Sequence, residues 1–214
     1  MRLLLSFSFL ALIFGCGLQK TSSTPFEGKI IYQLSSEMIN PADPDSMNYQ
    51  LVYAKDSMLR IENFTAIGKQ IYIKHIPKNR AYILMDIHTK KVAIQTFPED
   101  APNKGKYQFK KAKGKSELFG QKVKSIKVEL PDIDSVFVMK YFTEISPVYS
   151  EALPGIPGLP AEFTLFSGGI FIDYKVISLE QKEISIDLFG IPSDYEKMTM
   201  DQFIDFIQES EREN

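Results

Sequence analysis

A segment rich in proline and glycine limits what this chain can fold into. Residues 152–163, ALPGIPGLPAEF, hold three prolines and two glycines. Proline fixes φ and lacks an N–H, and glycine admits positive φ, so we expect neither a helix nor a central strand to run through the segment. Two interpretations stay open. One is a long surface loop, and the other is a rigid crossover packed on a sheet with Leu153, Ile156 and Leu159 facing inward.

The first fifteen residues are organised like a bacterial lipoprotein signal peptide. Arg2 precedes an apolar run over residues 3–14. At a rise of 1.5 Å per residue the run spans about 18 Å, which is short of the roughly 30 Å hydrocarbon core of a bilayer. Residues 13–16, IFGC, resemble a lipobox, whose cysteine receives a diacylglyceryl group and becomes the N-terminus after cleavage. We therefore predict that Cys16 is lipidated, and the alternative is an ordinary secretory signal.

This organisation predicts a signal peptide at 1–15, a lipidated cysteine and tether at 16–25, and one domain at 26–214. Attached acyl chains anchor a protein to a bilayer without a spanning helix. Cys16 is the only cysteine, so no intrachain disulfide is possible. No acidic run follows it, which favours an anchor facing the periplasm. We expect this anchor in the outer rather than the inner membrane.

Alternating apolar and polar residues predict a mainly β domain. The short polar joints between the strands indicate an antiparallel meander. We expect a half-open antiparallel β-barrel or a strongly curved sheet. The predicted strands cover residues 26–34, 47–54, 57–63, 69–76, 80–86, 91–97, 123–130, 135–142, 161–166, 170–179 and 183–189.

The chain is predicted to end in a helix over residues 199–211. Thr199 and Gln202 have the spacing of a capping box. An apolar stripe follows at helical spacing, and we expect it to pack on the sheet. The stripe consists of Met200, Phe203, Ile204 and Ile207.

Lysines are concentrated in residues 104–127, where nine stand against one acid, Glu117. One interpretation is contact with anionic lipid head groups. The favoured one is a pair of solvated edge strands, because lysine at a sheet edge discourages aggregation.

No motif in the sequence predicts chemistry. The net charge of −2 gives no case for a nucleic-acid partner. His75 and His88 lack the further ligands of a zinc site, and the loop at 39–45, INPADPD, lacks the glycine and the closing glutamate of a calcium loop. No phosphate-binding glycine loop and no G-x-S-x-G sequence occurs. We therefore expect no catalytic residues, no cofactor and no metal.

Five stretches carry a resemblance to a known group of proteins. They are residues 26–32 (FEGKIIY), 55–62 (KDSMLRIE), 114–128 (GKSELFGQKVKSIKV), 158–163 (GLPAEF) and 189–203 (FGIPSDYEKMTMDQF). Together they resemble the GLPGLI-like, DUF-type envelope lipoproteins of Bacteroidota, which are similar in fold to the lipoprotein carriers and receptors of the Lol pathway. The resemblance implies a half-open barrel with an apolar concave face partly covered by helices, and it implies no enzyme activity.

The functional prediction is a membrane-anchored periplasmic lipoprotein that binds a hydrophobic ligand, a lipid or an acyl chain, in this concave face. Leu153, Ile156 and Leu159 are expected to form a lid. One alternative is that the same residues fill a closed core, and another is an envelope protein–protein interaction module without a cavity. A third is a hydrolase, which would need acids or a nucleophile clustered on one face of the sheet. The candidate ligand-binding residues on the strands are Tyr72, Tyr82, Leu84, Phe137 and Met139.

Overall fold

The computed structural model describes residues 25–38, 48–65, 68–87, 90–97, 107–130, 133 and 135–212. Cys16, His88 and the loop at 39–45 lie outside the described residues. Within the described residues, twelve strands form one sheet, and one α-helix follows near the C-terminus. The prediction of a mainly β, curved sheet with a C-terminal helix is confirmed.

The sheet is open, with β12 and β7 at its two edges. Its strand order is β12-β6-β5-β4-β3-β2-β1-β11-β10-β9-β8-β7. All neighbours are antiparallel except β12, which runs parallel to β6. The strands are β1 Gly28–Ser35, β2 Tyr49–Lys55, β3 Met58–Thr65, β4 Gly68–His75, β5 Arg80–Ile87, β6 Lys90–Thr96, β7 Gln108–Leu118, β8 Gln121–Glu129, β9 Val136–Phe142, β10 Leu159–Ser167, β11 Ile170–Gln181 and β12 Glu196–Met198.

The strand register defines two faces of the sheet. Residues directly opposite each other in an antiparallel pair project to the same face. One such row crosses β1 to β5, and we call its side the inner face and the opposite side the outer face. The row consists of Ile30, Val52, Ile61, Tyr72 and Ile83.

The main hydrophobic core lies on the inner face, beneath the β9–β10 connection (residues 143–158). Leu153 and Leu159 are completely buried and Ile156 is 3% exposed. The proline–glycine segment is therefore packed on the sheet, as one of the two interpretations predicted. Gly158 is required there, because a Cβ would stand 2.1 Å from the carbonyl oxygen of Phe142. The expectation that no central strand enters the segment is wrong for residues 159–163, because the interior strand β10 begins at Leu159. The preceding residues link β9 to β10, which are paired neighbours.

Tyrosine hydroxyls hold this connection and the start of β10 in place. The Tyr149 hydroxyl donates to the carbonyl of Asp56 at 2.8 Å and accepts from the backbone N–H of Phe26 at 3.3 Å. The Tyr32 hydroxyl donates to the carbonyl of Pro160 at 2.7 Å. Tyr32 is buried, and burial raises the pKa of its hydroxyl. The position of the connection is thus set by both packing and directional bonds.

The outer face of β2 to β6 is covered by residues 182–195, the outer segment. Ile184 and Phe189 pack there against Ile73, Leu84 and Ala93. The prediction of a strand at 183–189 is wrong. The chain instead forms a 3-10 helix, Ile186–Phe189, whose first turn is capped because the Ser185 hydroxyl accepts from the Asp187 N–H at 3.3 Å.

A hydrogen bond from a buried arginine of β3 holds the outer segment on the sheet. Arg60 donates to the carbonyl of Leu188 and to the Glu62 carboxylate, both at 2.7 Å. Lys69 lies 2.6 Å from the other Glu62 oxygen. Burial opposes ionisation of Glu62, but the hydrogen bonds from Lys69 and Arg60 outweigh it and lower the pKa of the carboxyl.

After the outer segment the chain adds β12 to the sheet edge and then forms α1, Met200–Arg212. The capping box is confirmed, since the Thr199 N–H donates to Gln202 Oε1 at 2.8 Å and the Gln202 N–H to Thr199 Oγ1 at 3.3 Å. Phe203 packs on the inner-face residues Val92, Ile94 and Met198. Met200 and Ile204 are 43% and 46% exposed, so the predicted stripe is only partly covered. Among the described residues, no helix has the length and apolarity to cross a bilayer.

Candidate ligand-binding site

A cavity lies on the inner face where the β9–β10 connection and α1 leave the sheet uncovered. Its volume is about 900 Å³, in the upper part of the range of small-molecule sites. The floor is apolar because it is made by one inner-face row of β2 to β5. This row contributes Val52, Ile61, Tyr72 and Ile83.

An aromatic wall rises on the β10–β11 side. Phe163 and Tyr174 are directly opposite each other in the register. Their rings stack with centroids 4.7 Å apart and planes 5° apart. Tyr32 meets the Phe163 ring edge-on at 5.8 Å. Because packed rings of this kind hold one another in place, the wall presents a fixed apolar surface.

The β9–β10 connection forms a third side through Ser150, Glu151 and Ala152. The Glu151 carboxylate lies 2.7 Å from Lys74 Nζ on β4. Burial together with this neighbouring carboxylate raises the pKa of the Tyr72 hydroxyl. These contacts hold the connection at the edge of the cavity.

The end of β6 and the start of α1 contribute exposed apolar side chains to the lining. Phe97 and Met200 line the cavity there and are 55% and 43% exposed. Large exposed apolar side chains in the lining suit an apolar ligand, since they lose contact with water when it arrives.

Three of the polar lining residues form a row of carboxamides across neighbouring strands, which we call the carboxamide row; the other polar lining residues are Gln95, Thr96, Ser150, Glu151, Thr199 and Asp201. Gln50, Asn63 and Gln70 stand opposite one another on β2, β3 and β4. Gln50 Nε2 donates to Asn63 Oδ1 at 2.8 Å. All three are half-buried, and they lie next to the apolar floor row on the same face.

Of the predicted ligand-binding residues on the strands, only Tyr72 lines the cavity. The expectation that it shares a face with Tyr82 and Leu84 is wrong. The register places Tyr72 opposite Ile83, so Tyr82 and Leu84 project to the outer face. Leu84 is completely buried there in the core beneath the outer segment.

The remaining candidates belong to the main core. Leu153, Ile156, Leu159 and Met139 are buried in it, and Phe137 packs against it. The predicted lid thus fills one part of the concavity, and the cavity occupies another. The prediction missed several lining residues that lie on correctly predicted strands. They include Ile61, Ile83 and the Phe163–Tyr174 pair. Extending one face consistently across the hairpins would have found them.

Within the part of the chain that the structure describes, no group of three or more His, Cys, Asp or Glu residues is placed to hold a metal ion. His75 is half-buried on β4.

Solved structures with a similar fold include PNGF-II in two crystal forms, space groups C2 and P21. Each has a TM-score of 0.55 and 15% sequence identity, and each match covers 86% of this chain. The chain spans about a third of the length of these structures, 33% and 34% respectively. At this identity the similarity concerns the fold alone. No protein-family model and no curated relative matches the chain.

Proposed function

We propose that this protein is a non-enzymatic envelope lipoprotein that binds a hydrophobic ligand, a lipid or an acyl chain, in the inner-face cavity. The observation that carries the proposal is the cavity of about 900 Å³ with its apolar floor and aromatic wall. The anchor at Cys16 rests on the sequence pattern of residues 1–16, and the periplasm-facing orientation rests on the lack of acidic residues in 17–24, GLQKTSST. The outer membrane is part of the same proposal.

The chemistry of the lining sets the expected strength of binding. Each buried CH₂ group contributes about 0.8 kcal/mol, so a ten-carbon chain contributes about 8 kcal/mol. The loss of translational and rotational freedom of the ligand, together with the ordering of side chains, opposes binding by about 4–15 kcal/mol on a 1 M standard state. Burial of a ten-carbon chain therefore leaves at most about 4 kcal/mol in favour of binding, which corresponds to a Kd of about 1 mM, and tighter binding requires a longer chain or contacts of the head group.

The alternative function, an envelope protein–protein interaction module, has one observation in its favour. The outer face of β9 and β10 exposes Val136, Val138 and Phe166, at 55%, 65% and 46%. A photo-crosslinking residue at position 138 tests this alternative in intact cells. A specific protein adduct there, with no ligand binding to the purified chain, would favour the interaction module.

Titration with the neutral fluorescent probe Nile red tests ligand binding. The full chain carrying Cys16→Ser is used, so that no attached acyl chain competes for the cavity. We expect saturable binding that Ile83→Lys weakens at least about tenfold, because it places a charge on the apolar floor. Ile177→Lys is the matched control, since Ile177 is 39% exposed and lies outside the lining. Circular dichroism verifies that both variants fold. Unsaturable binding, or equal weakening by both variants, would contradict the proposal.

A further inference from the structure

Among the described residues that line the cavity, the charged ones are two carboxylates, Glu151 and Asp201, each with a local compensating partner. Glu151 is paired with Lys74. Asp201 lies in the first turn of α1, where the helix dipole favours a negative charge. Among the described residues, no lysine, arginine or histidine belongs to the lining. A carboxylate or phosphate ligand would therefore meet no cation in the described lining, and the adjacent Lys74 is already paired with Glu151.

The carboxamide row stands at one end of the apolar floor. Alternate residues on one face of a strand are about 6.6–6.8 Å apart, so Gln50 and Asn63 lie about one such step from Val52 and Ile61. Lys74 and its partner Glu151 lie beyond Tyr72 at the other end. An extended chain on the floor thus has a neutral polar row at one of its ends.

The carboxamides retain hydrogen-bonding capacity for a ligand. Each has a carbonyl acceptor and two N–H donors. The bond between Gln50 and Asn63 uses one donor and one acceptor of that pair. Such a row satisfies an ester, an amide or a hydroxyl, which donate or accept without a charge. An ionised head would lose its hydration without gaining a counter-charge, which is unfavourable in a mostly apolar site.

We propose that the ligand of this cavity is a single-chain amphiphile with an uncharged polar head, in which an ester, amide or hydroxyl head contacts the carboxamide row and the acyl chain lies on the floor. This inference rests on the proposed function, because it specifies the ligand of the same site. The inference predicts that neutral acyl esters and amides bind more tightly than free fatty acids and anionic phospholipids.

Displacement of Nile red by three ligands of equal chain length tests the head-group preference. Monodecanoin, decanoate and decyltrimethylammonium are titrated below their micelle concentrations into the full chain carrying Cys16→Ser at pH 7.5. We expect monodecanoin to bind at least about tenfold more tightly than decanoate, as unpaired polar groups in a site discriminate by about 1–3 kcal/mol. Tighter binding of decanoate or of the cation than of monodecanoin would overturn the inference.

The second test introduces a positive charge into the carboxamide row. Asn63→Lys supplies the missing cation and is expected to shift the decanoate-to-monodecanoin affinity ratio at least about tenfold towards decanoate. Ile177→Lys adds the same charge outside the cavity and is expected to leave the ratio unchanged. Equal affinities for the three ligands, with Nile red still bound saturably, would overturn the head-group inference alone. Failure of Nile red to bind would instead remove the proposed function.

Discussion

Adjacent residues on β5 are predicted to have opposite roles. Leu84 is completely buried between the outer face and the outer segment. Leu84→Ala leaves a cavity in a packed core, and such substitutions cost about 2.7–5 kcal/mol. For a chain of this length 1 kcal/mol corresponds to about 2–4 °C in Tm, so we expect Tm to fall by about 6–12 °C if the cost is near 3 kcal/mol.

Ile83 is half-buried and faces the ligand cavity. Ile83→Ala enlarges a space that is already open, so its cost in unfolding free energy should be only about 1 kcal/mol. Its effect should appear in binding, as a lower affinity for Nile red, because part of the floor is lost.

Urea unfolding and Nile red titration of the two variants, compared with the parent chain, measure both effects. The expected pattern is a large stability loss with retained binding for Leu84→Ala and the reverse for Ile83→Ala. A larger stability loss for Ile83→Ala, or loss of binding only in Leu84→Ala, would refute the register that places Ile83 on the inner face.

Three further predictions follow from the ion pair, the helix and the anchor. The lowered pKa of Glu62 means that its ion pairs stabilise the fold above the ordinary carboxyl pKa of about 4.3 and that this stability is lost as the pH falls through the lowered value. Urea unfolding between pH 7 and 3 should therefore show a weaker pH dependence for Glu62→Gln, and an unchanged slope would contradict this. Phe203→Ala should cost about 1–2 kcal/mol rather than the 3–5 typical of a fully buried Phe, because Phe203 is half-buried; a change within error would show that α1 does not pack on the sheet. Cys16→Ser should move the protein from the membrane to the soluble fraction and abolish palmitate labelling, and labelling that persists would refute the lipobox.

The sequence pattern predicted most strands because alternation of apolar and polar residues reports a half-buried sheet directly. It did not predict which faces of neighbouring strands coincide. The joint between β4 and β5 is a 3-10 turn, Ile76–Lys78, followed by Asn79 with φ 43°, and this turn sets Tyr72 opposite Ile83. A shift of one residue exchanges the two faces, so correct strands gave an incorrect set of lining residues.

Tertiary contacts explain the other differences. Ile184 and Leu188 suggest a strand at 183–189, but the segment packs as a cover over β2 to β6, with its Leu188 carbonyl held by Arg60. β12 is only three residues, Glu196–Met198, and carries no strand signal of its own. The carboxamide row could not be predicted from the sequence, because Gln50, Asn63 and Gln70 come together only through strand pairing.

Nuclear Overhauser contacts between a ligand and isoleucine methyl groups test the central claim most directly. The full chain carrying Cys16→Ser is labelled at isoleucine methyl groups and saturated with monodecanoin. Ile61 and Ile83 line the cavity on the inner face, whereas Ile73 is 1% exposed in the core on the outer face. We predict contacts from the acyl chain to the methyl groups of Ile61 and Ile83 and none to Ile73. Contacts to Ile73, or to none of the three while the ligand is bound, would contradict a binding site on the inner face.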